Sequence, residues 1–147
     1  MNQFDHPIFL KSIRFIRNQL GSSGLEPLQQ DVLERLIHTT GDFSIQSLLR
    51  FTPTACEIGI EAMKKGAPVL TDTKMASVAI ASMNSRTYNL PLFNILDWAP
   101  PLAPKGSTRS SIGMKNAWLE LNKKYSDSPS PIVLIGSAPT ALVKILD

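Results

Sequence analysis

The chain has one cysteine and two histidines among its 147 residues. A lone Cys56 excludes an intramolecular disulfide and fits a reducing compartment. Its mid-helix position reads as packing rather than nucleophilic chemistry. His6 and His38 lie far apart, so no group with metal-ligand spacing is present and no metal is expected. No apolar run approaches the roughly 18 residues of a membrane span. Residues 1–6 lack a basic stretch leading into an apolar one, so no signal peptide is predicted. These absences predict a cytoplasmic chain with no membrane partner. There is also no P-loop and no Gly-x-Gly-x-x-Gly.

Charge is sparse as well, at 18% of residues. Residues 1–65 hold seven acidic and seven basic side chains, and residues 66–147 hold five and eight. The formal excess of +3 therefore sits wholly in the second half. That is a mild lean toward an anionic partner. It falls short of the dense basic patch of a nucleic-acid binder, so no nucleic acid is expected. Hydrophobic residues at 43% suffice to fill one core, and the length suits a single domain over residues 1–147.

Ile8, Phe9, Ile13, Ile16 and Leu20 recur at helical spacing and stop at Gly21. A second helix starts near Pro27, with a stripe of Leu28, Val32, Leu33, Leu36 and Ile37 directly followed by His38. Asp42 reads as the cap of a short helix through Leu49. Thr52-Pro53 reads as the start of another, running to Lys65. Pro68-Val69-Leu70-Thr71 predicts a buried strand, followed by a helix from Thr73 to about Ser82. Residues 90–96 predict a second strand. Three prolines in 99–104 predict an extended loop, and Ser107 or Thr108 caps a helix to about Tyr125. The apolar, non-alternating Ile132-Val133-Leu134-Ile135 predicts a third strand covered on both faces, turning through residues 136–140 into a last helix. Strands alternating with helices imply a parallel α/β sheet with helices on both faces.

Ligands of open parallel sheets bind beyond the carboxyl ends of the strands. Thr71-Asp72-Thr73, Asp97 with the proline loop, and Gly136-Ser137-Ala138-Pro139-Thr140 fall there. Free N–H groups at helix starts attract carboxylate or phosphate. The same residues also read as ordinary capped βα turns. Arg109, in Thr108-Arg109-Ser110, sits unfavourably in a first helical turn unless an anion binds there, because guanidinium can grip a carboxylate with two bonds. It also reads as a solvent-facing side chain. His38, at the end of its helix, is placed either to exchange a proton or simply to cap. His6 is assigned to a mobile N-terminal arm with no role.

Four segments together resemble the precorrin-8X methylmutase (precorrin isomerase) family. They are Ile37-His38-Thr39-Thr40-Gly41-Asp42, Gly66-Ala67-Pro68-Val69-Leu70-Thr71-Asp72-Thr73-Lys74-Met75, Thr108-Arg109-Ser110-Ser111, and Ile135-Gly136-Ser137-Ala138-Pro139-Thr140-Ala141-Leu142. Each is short; their order over nearly the whole chain carries the resemblance. The family usually has asparagine where Ser137 stands. The resemblance implies a flavodoxin-like three-layer α/β/α fold, a mostly parallel sheet and a homodimer. Family members continue with about two more strands and their helices, so the resemblance also implies a C-terminally shortened domain with those strands missing and residues 132–135 at a sheet edge.

The implied reaction belongs to cobalamin biosynthesis. A methyl group moves from C11 to C12 of precorrin-8X, or of cobalt-precorrin-8, to give hydrogenobyrinate or cobyrinate with no cofactor. The tetrapyrrole is the partner. His38 falls on the family's proton donor and Arg109 on its ring-binding arginine. Thr108, Ser110, Thr71, Asp72, Thr73, Gly136, Ser137 and Thr140 complete the expected substrate contacts. Two other expectations are a non-catalytic tetrapyrrole- or partner-binding module of the same descent and, apart from the family, a flavodoxin-like phosphate- or nucleotide-binding domain.

Overall fold

The structure is a computed structural model that describes residues 6–147. The segment read above for a leader therefore lies, but for His6, outside the described residues. The chain forms two compact units, Met1–Ile58 and Gly59–Asp147.

The first unit is helical. Helix α1 (Pro7–Leu20) and α2 (Pro27–Thr40) are followed by the single turn α3 (Ile45–Leu48). Both long helices carry proline in the first turn, where a missing N–H costs nothing. His6 does more than the sequence suggested. It is the N-cap of α1, with Nδ1 accepting the Ile8 amide at 3.2 Å. Ile13, Ile16, Leu33 and Ile37 form the core, flanked by Phe9, Leu20, Leu25, Ile45 and Leu49. Burying each such side chain stabilises by roughly 1.5–3 kcal/mol. Gly41 ends α2 in the left-handed region at φ 71°, its N–H bonded to the Ile37 carbonyl, a conformation that suits glycine. Asp42 makes a local turn, with Oδ1 accepting the Ser44 amide at 2.8 Å, one turn before α3. Helix α4 (Ala55–Lys64) spans the boundary between the units.

The second unit is the α/β part. Strands β1 (Val69–Thr71), β2 (Leu92–Asn94) and β3 (Ile132–Leu134) form a parallel sheet in the order β2-β1-β3. Val69 stands beside Leu92 on one side and Ile132 on the other, and Thr71 beside Asn94 and Leu134. Helix α5 (Lys74–Arg86) connects β1 to β2, and α6 (Arg109–Lys124) lies between β2 and β3. The chain ends in α7 (Pro139–Leu146).

One sheet face, through Leu70, Phe93 and Val133, packs on Met114, Ala117 and Leu121 of α6 and Ala141 of α7. On the other, the Thr71 hydroxyl meets that of Ser77 on α5. This is the expected three-layer arrangement. β2 and β3 flank β1 on opposite sides. With crossovers of one hand, their connecting helices must then cover opposite faces. The 2-1-3 order is the start of the flavodoxin-like order, whose switch point lies between β1 and β3.

Three further boundaries differ from the sequence reading. Helix α4 starts at Ala55 rather than at Pro53, because Pro53 and Thr54 form a turn in which the Ala55 amide bonds the Thr52 carbonyl at 3.1 Å, and Cys56 therefore lies in the first turn of the helix rather than in its middle. The second strand is only three residues long, because the Asn94 side chain accepts the Leu96 amide and starts a 3-10 turn (Ile95–Trp98). Helix α5 runs past Ser82 to Arg86, because the Asn84 side chain bonds both main-chain groups of Leu90 and braces that end. No helix among the described residues is long and apolar enough to cross a membrane.

Candidate functional site

In the first unit, the packing that buries Leu33 and Ile37 leaves His38 exposed on the last turn of α2. Its Nδ1 lies 2.8 Å from Ser12 Oγ on α1. Phe9 stands edge-to-face against the ring, with centroids 5.0 Å apart. The Arg35 guanidinium lies over Phe9 at 4.7 Å. Nε2 has no partner among the described residues. The hydroxyls of Thr39 and Thr40 donate to the carbonyls four residues back, at 2.9 and 2.8 Å, and so are engaged by their own helix.

The second unit gathers two sets of the expected residues. At the switch point, Thr71 and Asp72 are fully buried. Thr71 Oγ1 donates to the Phe93 carbonyl at 3.0 Å and accepts from Asn94 Nδ2 at 3.1 Å. Asp72 Oδ2 accepts the amides of Ser137 and Ala138 at 2.8 and 2.7 Å. These are the N–H groups that open α7, so an internal carboxylate already occupies the helix end that the sequence offered to a ligand. Oδ1 has no hydrogen-bond partner of good geometry among the described residues. Burial acts to raise the Asp72 carboxyl, but the amides of Ser137, Gly136 and Ala138 and the Thr73 hydroxyl hold it below the ordinary aspartate value. Thr73 caps α5, accepting the Ala76 amide at 3.2 Å. A Cβ on Gly136 would stand 3.5 Å from Asp72 Oδ1, an ordinary van der Waals contact, so the turn passes close to the carboxylate without steric conflict.

The second set lines a groove of about 430 Å³ that includes Gly106, Ser107, Thr108, Ser111, Thr140 and Lys144. Thr108 caps α6 by accepting the Ser111 amide at 3.0 Å, and its hydroxyl meets that of Thr140 at 2.8 Å. Arg109 is the first residue of α6 and is exposed. Its Nε donates to the Pro100 carbonyl at 2.8 Å, tying the proline loop to the helix. That bond explains an arginine at a positive helix end and leaves other guanidinium N–H groups available. Ser110 makes no side-chain hydrogen bond among the described residues. Asp97 lies in the 3-10 turn, away from a strand end. No cluster of His, Cys, Asp and Glu suited to a metal occurs among the described residues.

Sequence reading missed three contributors. Ser12 was an unremarked helix residue whose partner lies 26 positions away. Asn94 was hidden in an assumed strand. Gly113 of α6 approaches the 3-10 turn so closely that a Cβ would fall 2.3 Å from the Ile95 carbonyl oxygen. A glycine inside a helix was the available signal for that last contact.

The fold and these residues define a parallel α/β domain with hydroxyl-rich turns at the carboxyl end of its sheet, preceded by a helical unit presenting an imidazole. The precorrin-8X methylmutase family profile matches residues 7–147, and the chain belongs to that family. It is 31% identical to the cobalt-precorrin-8 methylmutase of Synechocystis sp., over 99% of this chain and 70% of the relative. It is 28% identical to the precorrin-8X methylmutase of Pseudomonas aeruginosa, over 95% and 65%. The crystal structure of the precorrin-8x methyl mutase from Thermus thermophilus matches with a TM-score of 0.74 and 27% identity, over 95% of this chain and 66% of that one. A further relative, the cobalt-precorrin-8 methylmutase of Leptospira interrogans, is 30% identical over 92% of this chain. The chain spans 60% of that relative's length and 70% of the Synechocystis protein's.

Proposed function

We propose that this chain is an isomerase of cobalamin biosynthesis that moves a methyl group from C11 to C12 of precorrin-8X or cobalt-precorrin-8. His38 serves as the proton donor. The observation that carries the reading is the family match over residues 7–147, which includes a histidine with one ring nitrogen held and the other open. Protonating the macrocycle withdraws electron density from the carbon that the methyl leaves, so the migrating bond weakens. The proton returns to His38 once the methyl has settled on C12. General acid catalysis of this kind contributes roughly 10²–10⁴-fold.

The substrate is a flat, largely apolar ring with several carboxylate arms. Arg109, Ser110 and the groove residues Thr108 and Thr140 offer donors for those arms, and Thr73, Gly136 and Ser137 offer the switch-point edge. Thr71 and Asp72 act from behind, by holding β2, α5 and the α7 turn in place. The homodimer implied by the resemblance belongs to the same reading.

Incubation of the purified protein with precorrin-8X, followed by absorption, tests this. The spectrum of the rearranged product is expected to replace that of the substrate. Product binding without substrate conversion would sink the catalytic reading and leave a tetrapyrrole-binding module.

A further inference from the structure

Ser12 follows no motif, yet it touches the ring nitrogen that decides what His38 can do. Ser12 precedes Ile13 on α1, and His38 follows Ile37 on α2. Both isoleucines are buried in the same core, and their packing brings the two polar side chains level across the helix pair. The contact of 2.8 Å has the length of a good hydrogen bond. Phe9 stands against the imidazole at an interplanar angle of 84° and restricts rotation of the ring.

We infer that Ser12 is a positioning residue whose Oγ accepts the His38 Nδ1–H and thereby makes Nε2 the only nitrogen that exchanges a proton with substrate. This rests on the proposed role of His38 as the acid. In the imidazolium both nitrogens are donors and a hydroxyl oxygen has two lone pairs, so the contact must run from Nδ1–H to Oγ. When Nε2 passes its proton to the macrocycle, Nδ1 keeps its own. The ring is left neutral, with the Nε2 lone pair facing the site from which the proton will return. No other proton needs to move. Without Ser12, the neutral ring is free to redistribute its proton onto Nε2, the tautomer that free imidazole side chains favour in water. That form presents no lone pair to take the proton back.

The test compares wild type, Ser12→Ala and Ser12→Thr by nitrogen-15 spectra of the His38 ring, at a pH where it is neutral, and by steady-state turnover. Alanine is the best helix former, so the first variant keeps α1 intact. Wild type and Ser12→Thr are expected to show the proton on Nδ1, and Ser12→Ala a shift toward Nε2. Ser12→Ala should lose on the order of tenfold in kcat, the rate equivalent of one neutral hydrogen bond, with KM within about twofold. Ser12→Thr should recover most of that loss. A neutral wild-type ring protonated on Nε2, an unchanged tautomer in Ser12→Ala, or a loss confined to KM would each overturn the assignment. Failure of the isomerase reading shows separately, as absent wild-type turnover, while the spectra still decide the role of Ser12.

Discussion

The carboxylate of Asp72 and the main-chain amide of Ser137, 65 residues apart in sequence, meet at 2.8 Å across the gap between β1 and β3. In open α/β sheets this gap is where ligands enter. Here the protein fills the helix end with a side chain of its own, so any ligand meets a turn already held in shape.

Asp72→Ala leaves two amides without their acceptor. Ser137 is exposed and Ala138 half-buried, so water can replace the lost acceptor in part, and at about 0.5–1.5 kcal/mol for each hydrogen bond the variant is expected to lose about 1–3 kcal/mol in denaturant unfolding. Asp72→Asn keeps one acceptor oxygen and should lose less. The Ser137 and Ala138 amides should exchange with solvent faster in both variants, which hydrogen-exchange measurement reads directly.

The same carboxyl sets a pH dependence. Its folded-state pKa is lowered, so its contribution to stability is complete above the unfolded aspartate value of about 3.9. It is lost as pH falls from there through the folded value. Stability of the wild type should therefore fall with acid over that window, and the fall should be shallower in Asp72→Asn. Equal slopes in the two proteins would contradict the assignment.

Arg17 clamps the buried Glu34 with two bonds, at 2.7 and 2.8 Å, and Gln30 adds a third at 2.9 Å. Burial raises the Glu34 carboxyl, but Arg17 and Gln30 more than offset that and hold it low. Arg17→Met strands a carboxylate that is 2% exposed. Arg17 is itself half exposed, so screening reduces the cost to about 2 kcal/mol. The double variant Arg17→Met/Glu34→Met should regain most of that, and thermal unfolding of the three proteins checks it.

Gly113→Ala sets a methyl group against the Ile95 carbonyl and the Ala99 side chain. Alanine is ordinarily the better helix residue, yet the change should destabilise by about 1–3 kcal/mol because α6 must move off the 3-10 turn. A stabilised variant in a melting experiment would contradict this expectation.

His38→Ala is expected to retain tetrapyrrole binding and to lose roughly 10²–10⁴-fold in turnover, the usual worth of a general acid. A titration followed by absorption and a single-turnover assay separate the two. Undiminished turnover would remove His38 from the mechanism.

Much of this architecture was legible from local pattern. The caps Thr73 and Thr108, the first-turn prolines Pro27 and Pro139, and the stop at Gly41 all act within a few residues of the positions they control. The apolar run at 132–135 correctly marked a strand, although among the described residues β3 pairs only with β1 and its residues are half-buried rather than covered on both faces. What local pattern could not show was the direction in which a polar side chain turns. Asp72 reads as an exposed strand-end acid until amides from residues 137 and 138 arrive. Arg109 reads as a free cation until the Pro100 carbonyl takes its Nε. The Ser12–His38 pair appears only when two helices pack. Each of these depends on a partner brought in by tertiary structure, and no spacing rule within one element encodes it.

The tie from Asp72 also bears on how the chain comes apart. Helix ends commonly fray at little cost. Lifting the start of α7 would uncover an ionised group lodged among buried neighbours and strip it of both amide donors at once. Opening of the α7 turn is thereby coupled to the loss of the contacts made by the residue that follows β1. The Ser137 and Ala138 amides are therefore expected to exchange more slowly than their position at an exposed turn would suggest.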